Sequence, residues 1–283
     1  MTTDASYFVE RFPFKKSTFV SSQCLISLRL VSHSLTCGLY IAIFSLDHAH
    51  IVSLYDYWED ETTHSLALEF AALGDLQNFR QHNMFPRTQM VLYIRQITSA
   101  LEHLASRGIA HRDLKGENIL VFDEDTVKLA DFGWAIQLFD ENYNRVTLCG
   151  TPEFVPPEMI KGMYDARHVD QWGLGILTWE LLEHRGLFDI SSATKQEMME
   201  ELGLETPNDT TFALIKNFQL LDVTKTTDSN FADFCTKLIV YDPLRRMSFT
   251  EALSHPFLGG CSRENSEEHL PDRNIKRRRF AIK

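Results

Sequence analysis

The apolar positions of this chain change their period more than once. In residues 26–30, Ile26, Leu28 and Leu30 alternate with Ser27 and Arg29, the period of two expected of an extended strand with one apolar face. "IVSLYDYW" (51–58) and "HSLALEF" (64–70) are short β-rich runs on either side of the acidic "EDETT" (59–63). They predict a strand pair. After "AALGD" (71–75) the period becomes helical: Val91, Ile94, Ile97, Leu101 and Leu104 recur every three or four residues until Gly108 stops the run. Two brief apolar runs follow, Ile119–Phe122 and Val127–Ala130, around an acidic turn. "VDQWGLGILTWELLEH" (169–184) is apolar nearly all round, which predicts a helix at the centre of a helical body. Further helices are predicted around 194–203, 212–218, 230–240 and 249–254. The fold class is therefore α+β, with a small β-rich lobe followed by a larger helical lobe.

One stretch tests that reading. Residues 19–46 are apolar enough to suggest a membrane span, but Arg29, His33 and several serines interrupt them. The cleanest uninterrupted part is nearer a dozen residues than the ~20 a spanning helix needs. Buried strands or a helix are expected there, and a membrane segment is not. The opening "MTTDASYFVERFPFKK" is polar and mixed in charge, unlike a signal peptide. At 283 residues, 44% apolar and 24% charged, the chain is long enough for one large domain or two lobes and has ordinary globular composition. Its formal charge of −11 argues against a nucleic-acid binder, whose footprint is basic, and suits a surface that attracts basic partners. The five cysteines include no CxxC pair and read as reduced thiols of a cytoplasmic or nuclear protein. The tail 259–283 is polar and ends near "KRRR" (276–279), a solvated basic end or, alternatively, a nuclear address.

The chemistry concentrates in "IAHRDLKGENILVF" (109–122). Moving a phosphoryl group from a Mg-nucleotide to a hydroxyl needs oxygen ligands for the metal, an oriented hydroxyl and charge stabilisation. Asp113 has the chemistry to orient the hydroxyl and accept its proton, and Lys115 can meet the transferring phosphate as a point charge. Asn118 and Asp131 offer the hard oxygens that Mg²⁺ prefers. Asp131 opens "DFG", where Gly133 permits a sharp turn.

"HRDLKGEN", "DFG" and "PPE" (156–158), in this order and joined by "VDQWGLG", resemble the protein-kinase signature set. Lys115 marks the serine/threonine branch, and "ADFGWA" (130–135) with "TLCGTPEFVPPEMI" (147–160) is similar to the Aurora activation segment. The resemblance covers roughly residues 48–258. It implies a bilobal kinase-like fold, ATP and Mg²⁺ as cofactors, and a protein substrate. By resemblance Asp113 is the catalytic base and Asn118 and Asp131 are metal ligands. Glu158 pairs with Arg246, and Asp170 steadies the catalytic loop. The hinge Leu68–Ala71 receives adenine, with Glu69 and Ala71 as the nucleotide-binding positions. Trp134 and Trp172 are expected in the core. The implied division is a divergent or wrongly assembled segment 1–46, remaining small-lobe strands and hinge 47–70, a helical kinase C-lobe 71–258 and a polar tail 259–283.

The same resemblance exposes a gap. Kinases cover the ATP phosphates with a Gly-rich loop and grip them with a strand lysine paired to a helix glutamate. Here Gly38 is the only glycine before Gly74, and Lys15 and Lys16 are the only lysines before Lys115. Family spacing puts the lysine near Phe19 and the glutamate near Leu39, and no glutamate stands between Glu10 and Glu59. Three explanations follow: a divergent or mis-assembled N-terminus, an altered lobe in which Lys15 or Lys16 reaches the phosphates, or a pseudokinase that acts as a binding module. Phosphotransfer is expected to be impaired.

Two further sites are implied. Arg112 can pair with a phosphate on Thr147, the activating position of Aurora-like kinases, whereas Thr151 would position Asp113 and Lys115. Asp75 and Glu117 lie where basophilic kinases read arginine upstream of the target Ser/Thr. Asp75 could instead cap the helix starting at Leu76.

Overall fold

The computed structural model describes residues 7–8, 26–30, 46–59, 64–83, 85–138, 144–216 and 226–259. Lys15, Lys16, Phe19, Leu39, most of segment 1–46 and the tail beyond Gly259 lie outside them. The alternation at Ile26–Leu30 does become a strand. Strands β1 (Tyr7–Phe8), β2 (Ile26–Leu30), β3 (Leu54–Glu59) and β4 (His64–Leu68) form an antiparallel sheet in the order β1-β2-β4-β3. Ile26 pairs with Leu68 and Leu30 with His64. The predicted pair β3–β4 forms, with a register shift between Leu54 and Asp56 of the kind a bulge produces.

Helix α1 (Leu76–His82) starts on Asp75, and α2 (Arg87–Ser106) follows Pro86. The apolar stripe anticipated on α2 is buried: Val91, Ile94, Ile97, Leu101 and Leu104 all face the core. After Gly108, which has φ +67, β5 (Ile109–Ala110) leads into the loop 111–118. The hairpin of β6 (Ile119–Asp123) and β7 (Thr126–Leu129) comes next. This hairpin ties the sheet to the helices. Val52 N–H donates to the Leu129 carbonyl and Leu129 N–H to the His50 carbonyl, both at 2.9 Å. Val121 N–H donates to the Gly74 carbonyl at 2.8 Å.

β8 (Ile136–Gln137) pairs with β5, and β9 (Asn144–Arg145) pairs with β10 (Tyr164–Asp165), which follows the short α3 (Pro157–Lys161). Helix α4 (Val169–Glu183) is buried on almost every side, with Trp172 and Trp179 inside. Helices α5 (Ser192–Leu202), α6 (Pro207–Lys216), α7 (Ser229–Leu238), α8 (Phe249–Leu253) and α9 (Pro256–Gly259) follow, and α7 packs against α4. Helix α6 begins five residues before the expected 212. Thr206 and Asp209 cap each other there, at 2.8–3.3 Å, and Pro207 is preset for a first turn. A second departure concerns Trp134, which is 41% exposed rather than in the core. Its segment runs along the surface, held by its backbone rather than its ring. Among the described residues no helix is long and apolar enough to cross a membrane.

Candidate active site

Two residues with left-handed backbone mark this region: Arg112 (φ +66) and Asp131 (φ +55). A non-glycine residue there is strained by roughly 1–2 kcal/mol, so its surroundings must hold it. Asp170, in the first turn of α4, does this for Arg112. Its carboxylate accepts the backbone N–H of His111 (2.7 Å) and of Arg112 (2.8 Å). Burial pushes the Asp170 carboxyl up, opposed by His111 and by these two bonds. The His111 ring is buried, 3.0 Å from the Ala130 carbonyl and edge-on to Phe132 at 5.1 Å. It therefore fastens the loop 111–118 to the Asp131–Gly133 turn. Within that turn Asp131 accepts the Gly133 N–H at 3.1 Å.

Asp113 is the node of the network. One carboxylate oxygen accepts both the backbone N–H and the hydroxyl of Thr151, each at 3.1 Å. The other accepts the Asn118 amide nitrogen at 3.0 Å and lies 3.4 Å from Lys115 Nζ. Asn118 also donates to the Asp113 carbonyl at 2.7 Å, so its amide oxygen points away from Asp113. Lys115 donates to the Thr151 hydroxyl at 2.9 Å. Thr151 thus bridges Asp113 and Lys115, as the sequence suggested. Gly150 makes this approach feasible: its φ is +91, and a Cβ there would sit 2.7 Å from the Arg112 carbonyl oxygen.

The Arg112 guanidinium donates to the Trp134 carbonyl (2.8 Å) and to the Tyr164 hydroxyl (3.0 Å), which in turn donates to the Thr147 carbonyl at 2.9 Å. Arg112 therefore meets the Thr147 backbone through Tyr164, and the Thr147 side chain is exposed. Sequence reasoning missed Tyr164, whose neighbours give no local signal.

At the other edge, Glu69 N–H donates to the Ser53 carbonyl at 2.9 Å, and the Glu69 carboxylate holds Lys128 Nζ at 2.6 and 2.7 Å. Ala71 is buried beside it and accepts the Gly74 N–H at 3.3 Å. Asp75 caps α1: one oxygen accepts the Asn78 N–H (2.8 Å) and the other the Asn78 side-chain amide (2.7 Å). Gly116 packs so tightly on Gln77 that an added Cβ would lie 3.2 Å from the Gln77 Cβ. The turn carrying the exposed Glu117 therefore lies against α1. Glu180 at the end of α4 joins them, with Arg80 of α1 donating to its carboxylate at 3.2 Å. Burial raises the Glu180 carboxyl against that arginine, and Glu117 and Asp189 raise it further. Neither Glu180 nor Asp189 was foreseen, since only the meeting of α1, α4 and the 116–118 turn reveals them.

No group of three or more His, Cys, Asp or Glu is arranged for a metal ion among the described residues. Asn118 and Asp131 offer two oxygen donors, a set that suits Mg²⁺, which keeps waters and phosphate oxygens in its shell.

The family model of the protein kinase domain matches residues 41–258. An Aurora kinase of Encephalitozoon cuniculi is 33% identical over 216 residues, covering 76% of this chain and 74% of that protein. Aurora kinase C of Mus musculus is 30% identical over 228 residues, covering 80% and 74%. An Aurora kinase of Schizosaccharomyces pombe is 33% identical over 215 residues, covering 76% of this chain but 56% of that longer relative. The chain belongs to the protein kinase family, on its serine/threonine branch and with an Aurora-like relationship.

Proposed function

We propose that this chain carries an ATP- and Mg²⁺-dependent serine/threonine phosphotransfer site whose turnover is slow. The observation that carries the reading is the clamp on Asp113, which fixes both carboxylate oxygens through Thr151, Asn118 and Lys115. In this reading Asp113 orients the substrate hydroxyl and accepts its proton. Lys115 stands beside the transferring phosphate, and the amide oxygen of Asn118 and the carboxylate of Asp131 hold Mg²⁺. When bound, Mg-ATP supplies the phosphoryl group and neutralises its charge. Glu69 and Ala71 form the adenine edge, with the Glu69 side chain anchored on Lys128 so that its backbone is held in place.

The slow turnover rests on the missing Gly-rich loop, lysine and glutamate within 1–46. Losing a preorganised charge contact to the transition state costs about 10²–10³ in rate. That gap also supports a second reading, a pseudokinase that binds without turnover. We read 47–70 as remaining small-lobe strands and hinge and 71–258 as the helical C-lobe. We place the protein in the cytoplasm or nucleus, since Cys149 and Cys235 are free buried thiols. Thr147 is its activating phosphosite, with Arg112 as the basic partner. Glu117, with Asp75, reads basic residues upstream of the target Ser/Thr.

The purified chain, assayed with Mg-ATP and an Arg-rich serine peptide, is expected to show slow phosphorylation that Asp113→Ala abolishes. A rate equal to that of Asp113→Ala supports the binding module. Vigorous turnover overturns the impairment, and Lys15→Ala and Lys16→Ala then test for a substitute lysine.

A further inference from the structure

The activation segment is anchored to the loop 111–118 at two points four residues apart, Thr147 and Thr151. Thr151 meets Asp113 directly, through its N–H and its hydroxyl. Thr147 meets Arg112 through a third residue, Tyr164 of β10. The Tyr164 hydroxyl accepts from the Arg112 guanidinium at 3.0 Å and donates to the Thr147 carbonyl at 2.9 Å. A phenol has one O–H to donate and lone pairs with which to accept, so both roles are filled at once. The residue is 2% exposed and packs with Cys149, Val155 and Met159. Burial pushes the phenol pKa up, which keeps the proton available for the Thr147 carbonyl at neutral pH. The Tyr164 backbone adds a further hold, since it pairs with Arg145 between β9 and β10. One residue therefore binds the segment on both sides of Val146, Arg145 by main chain and Thr147 by side chain.

The Thr147 side chain is exposed. We propose that the Tyr164 hydroxyl is the phosphate-free latch of the activation segment. It holds Thr147 to Arg112 in the unmodified chain, and a phosphate on Thr147 takes Arg112 over from it. The proposal rests on the reading of Thr147 as the phosphosite and Arg112 as its basic partner. A phosphate carries a charge of about −1.5 to −2 near neutral pH and accepts a guanidinium bond more strongly than a neutral hydroxyl does. The handover therefore runs toward the phosphate, and Arg112 then bonds to residue 147 directly.

Tyr164 is a positioning residue in this scheme. Its hydroxyl acts through Arg112, the neighbour of Asp113, and through the Thr147 main chain. Latch and phosphate hold the same segment by the same arginine, so their effects do not add. The wild-type segment is already held before modification. Phosphorylation accordingly orders it much less than it orders a segment that lacks the hydroxyl.

Tyr164→Phe removes the hydroxyl and keeps the ring. Tyr93→Phe is the matched control: Tyr93 is just as buried, and its hydroxyl donates to the Glu124 carbonyl at 2.7 Å in the β6–β7 turn. Amide hydrogen exchange across residues 144–151 of the full chain, read by mass spectrometry, reports opening of the segment. Each protein is prepared unmodified and with phosphothreonine built in at position 147. Losing two hydrogen bonds, one of them charge-assisted, is expected to speed exchange in unmodified Tyr164→Phe by about tenfold. Tyr93→Phe is expected to exchange this segment at the wild-type rate. With the phosphate in place, Tyr164→Phe is expected to return to the wild-type rate. Equal exchange in unmodified wild type and Tyr164→Phe overturns the latch and leaves the Thr147 reading intact. If Tyr93→Phe speeds the segment as much, general loss of stability explains the effect and the latch is overturned. A phosphate that slows wild type and Tyr164→Phe by the same factor acts apart from the latch and overturns the handover, with Thr147 still a switch. A phosphate that slows neither overturns the Thr147 reading itself, and the handover with it.

Discussion

Arg246 grips Glu158 with both ends of its guanidinium, at 2.6 and 2.7 Å, across 88 residues of sequence. The arginine side chain is wholly buried and the glutamate 12% exposed. Two further bonds go to the carbonyls of His168 (2.6 Å) and Val240 (2.9 Å), and it lies over the Trp172 ring at 5.3 Å. The pair fixes the end of the activation segment to the helical body. Removing one partner strands the other charge in the interior, so Arg246→Ala should lose about 3–5 kcal/mol. Replacing both, as in E158Q/R246M, should lose less. Urea unfolding of the three proteins checks the order; equal losses would mean that the pair acts independently of its charges.

Gly150 is the point where the activation segment reaches Asp113. With φ +91 and the Arg112 carbonyl oxygen 2.7 Å from a would-be Cβ, Gly150→Ala meets both backbone strain and backbone atoms that cannot yield. The strain alone is about 1–2 kcal/mol, and relief requires Thr151 to withdraw from Asp113. Stability should fall by at least that amount, with a larger fractional loss in phosphotransfer than in peptide binding. A variant that melts lower but keeps its full transfer rate would show that Thr151 does not position Asp113.

Local patterning carried the architecture further than it carried the site. The helical stripe of α2 was legible because burial on one face imposes a fixed period, α4 because nearly every face of it is covered, and the alternation of β2 because successive residues of a strand point to opposite faces. The order of His111–Asn118, Asp131–Gly133 and Glu158 was legible because motifs keep their spacing. What escaped depends on chain segments far apart in sequence. Lys128 and Glu69 are 59 residues apart, and their pairing requires β7 to lie against residues 50–52 while Ser53 holds the Glu69 N–H. Arg80 and Glu180, 100 residues apart, meet only through the packing of α1 on α4. Trp134 was expected in the core with Trp172, whereas it is 41% exposed and its carbonyl accepts the bond from Arg112.

The Lys128–Glu69 pair makes its own prediction. Both side chains are mostly buried, at 15% and 19% exposure, and Lys128 also lies over the Phe122 ring at 4.7 Å. Truncating either residue frees the other and loosens the segment leading to Ala71. A double-mutant cycle of Glu69→Ala and Lys128→Ala should yield a coupling energy of about 0.5–3 kcal/mol in stability. If the hinge reading is right, both single variants should also weaken nucleotide binding, as seen in a thermal shift with Mg-ATP. Additive losses would indicate that the two residues act separately.

The last prediction concerns acid. His48, His50 and His103 gather where residues 46–52 meet α2, with His48 and His103 rings 4.9 Å apart and His48 and His50 5.8 Å apart. His48 Nδ1 accepts the His50 N–H at 3.1 Å and its Nε2 lies 3.1 Å from the Ser99 hydroxyl, so the folded bonding suits a neutral ring. His50 Nδ1 lies 3.1 Å from the Val127 carbonyl. Burial is the first cause lowering all three pKa values; the neighbouring histidines add to it at His48, Lys128 at His50 and Arg107 at His103. Asp47 opposes the shift at His48 and His103, Glu102 at His103 and the Val127 carbonyl at His50. Because these values fall below the ordinary 6.5, the unfolded chain binds more protons than the folded one. Their contribution is complete above that pH and declines as pH falls below it. The melting temperature should therefore drop between pH 7 and pH 5. His103 Nε2 is buried with no hydrogen-bond partner among the described residues, so His103→Phe keeps a ring against His48 and removes that orphan nitrogen. At pH 7.5 this variant should melt at or above wild type, and its decline on acidification should be shallower. An unchanged slope in His103→Phe would assign the acid sensitivity to other groups.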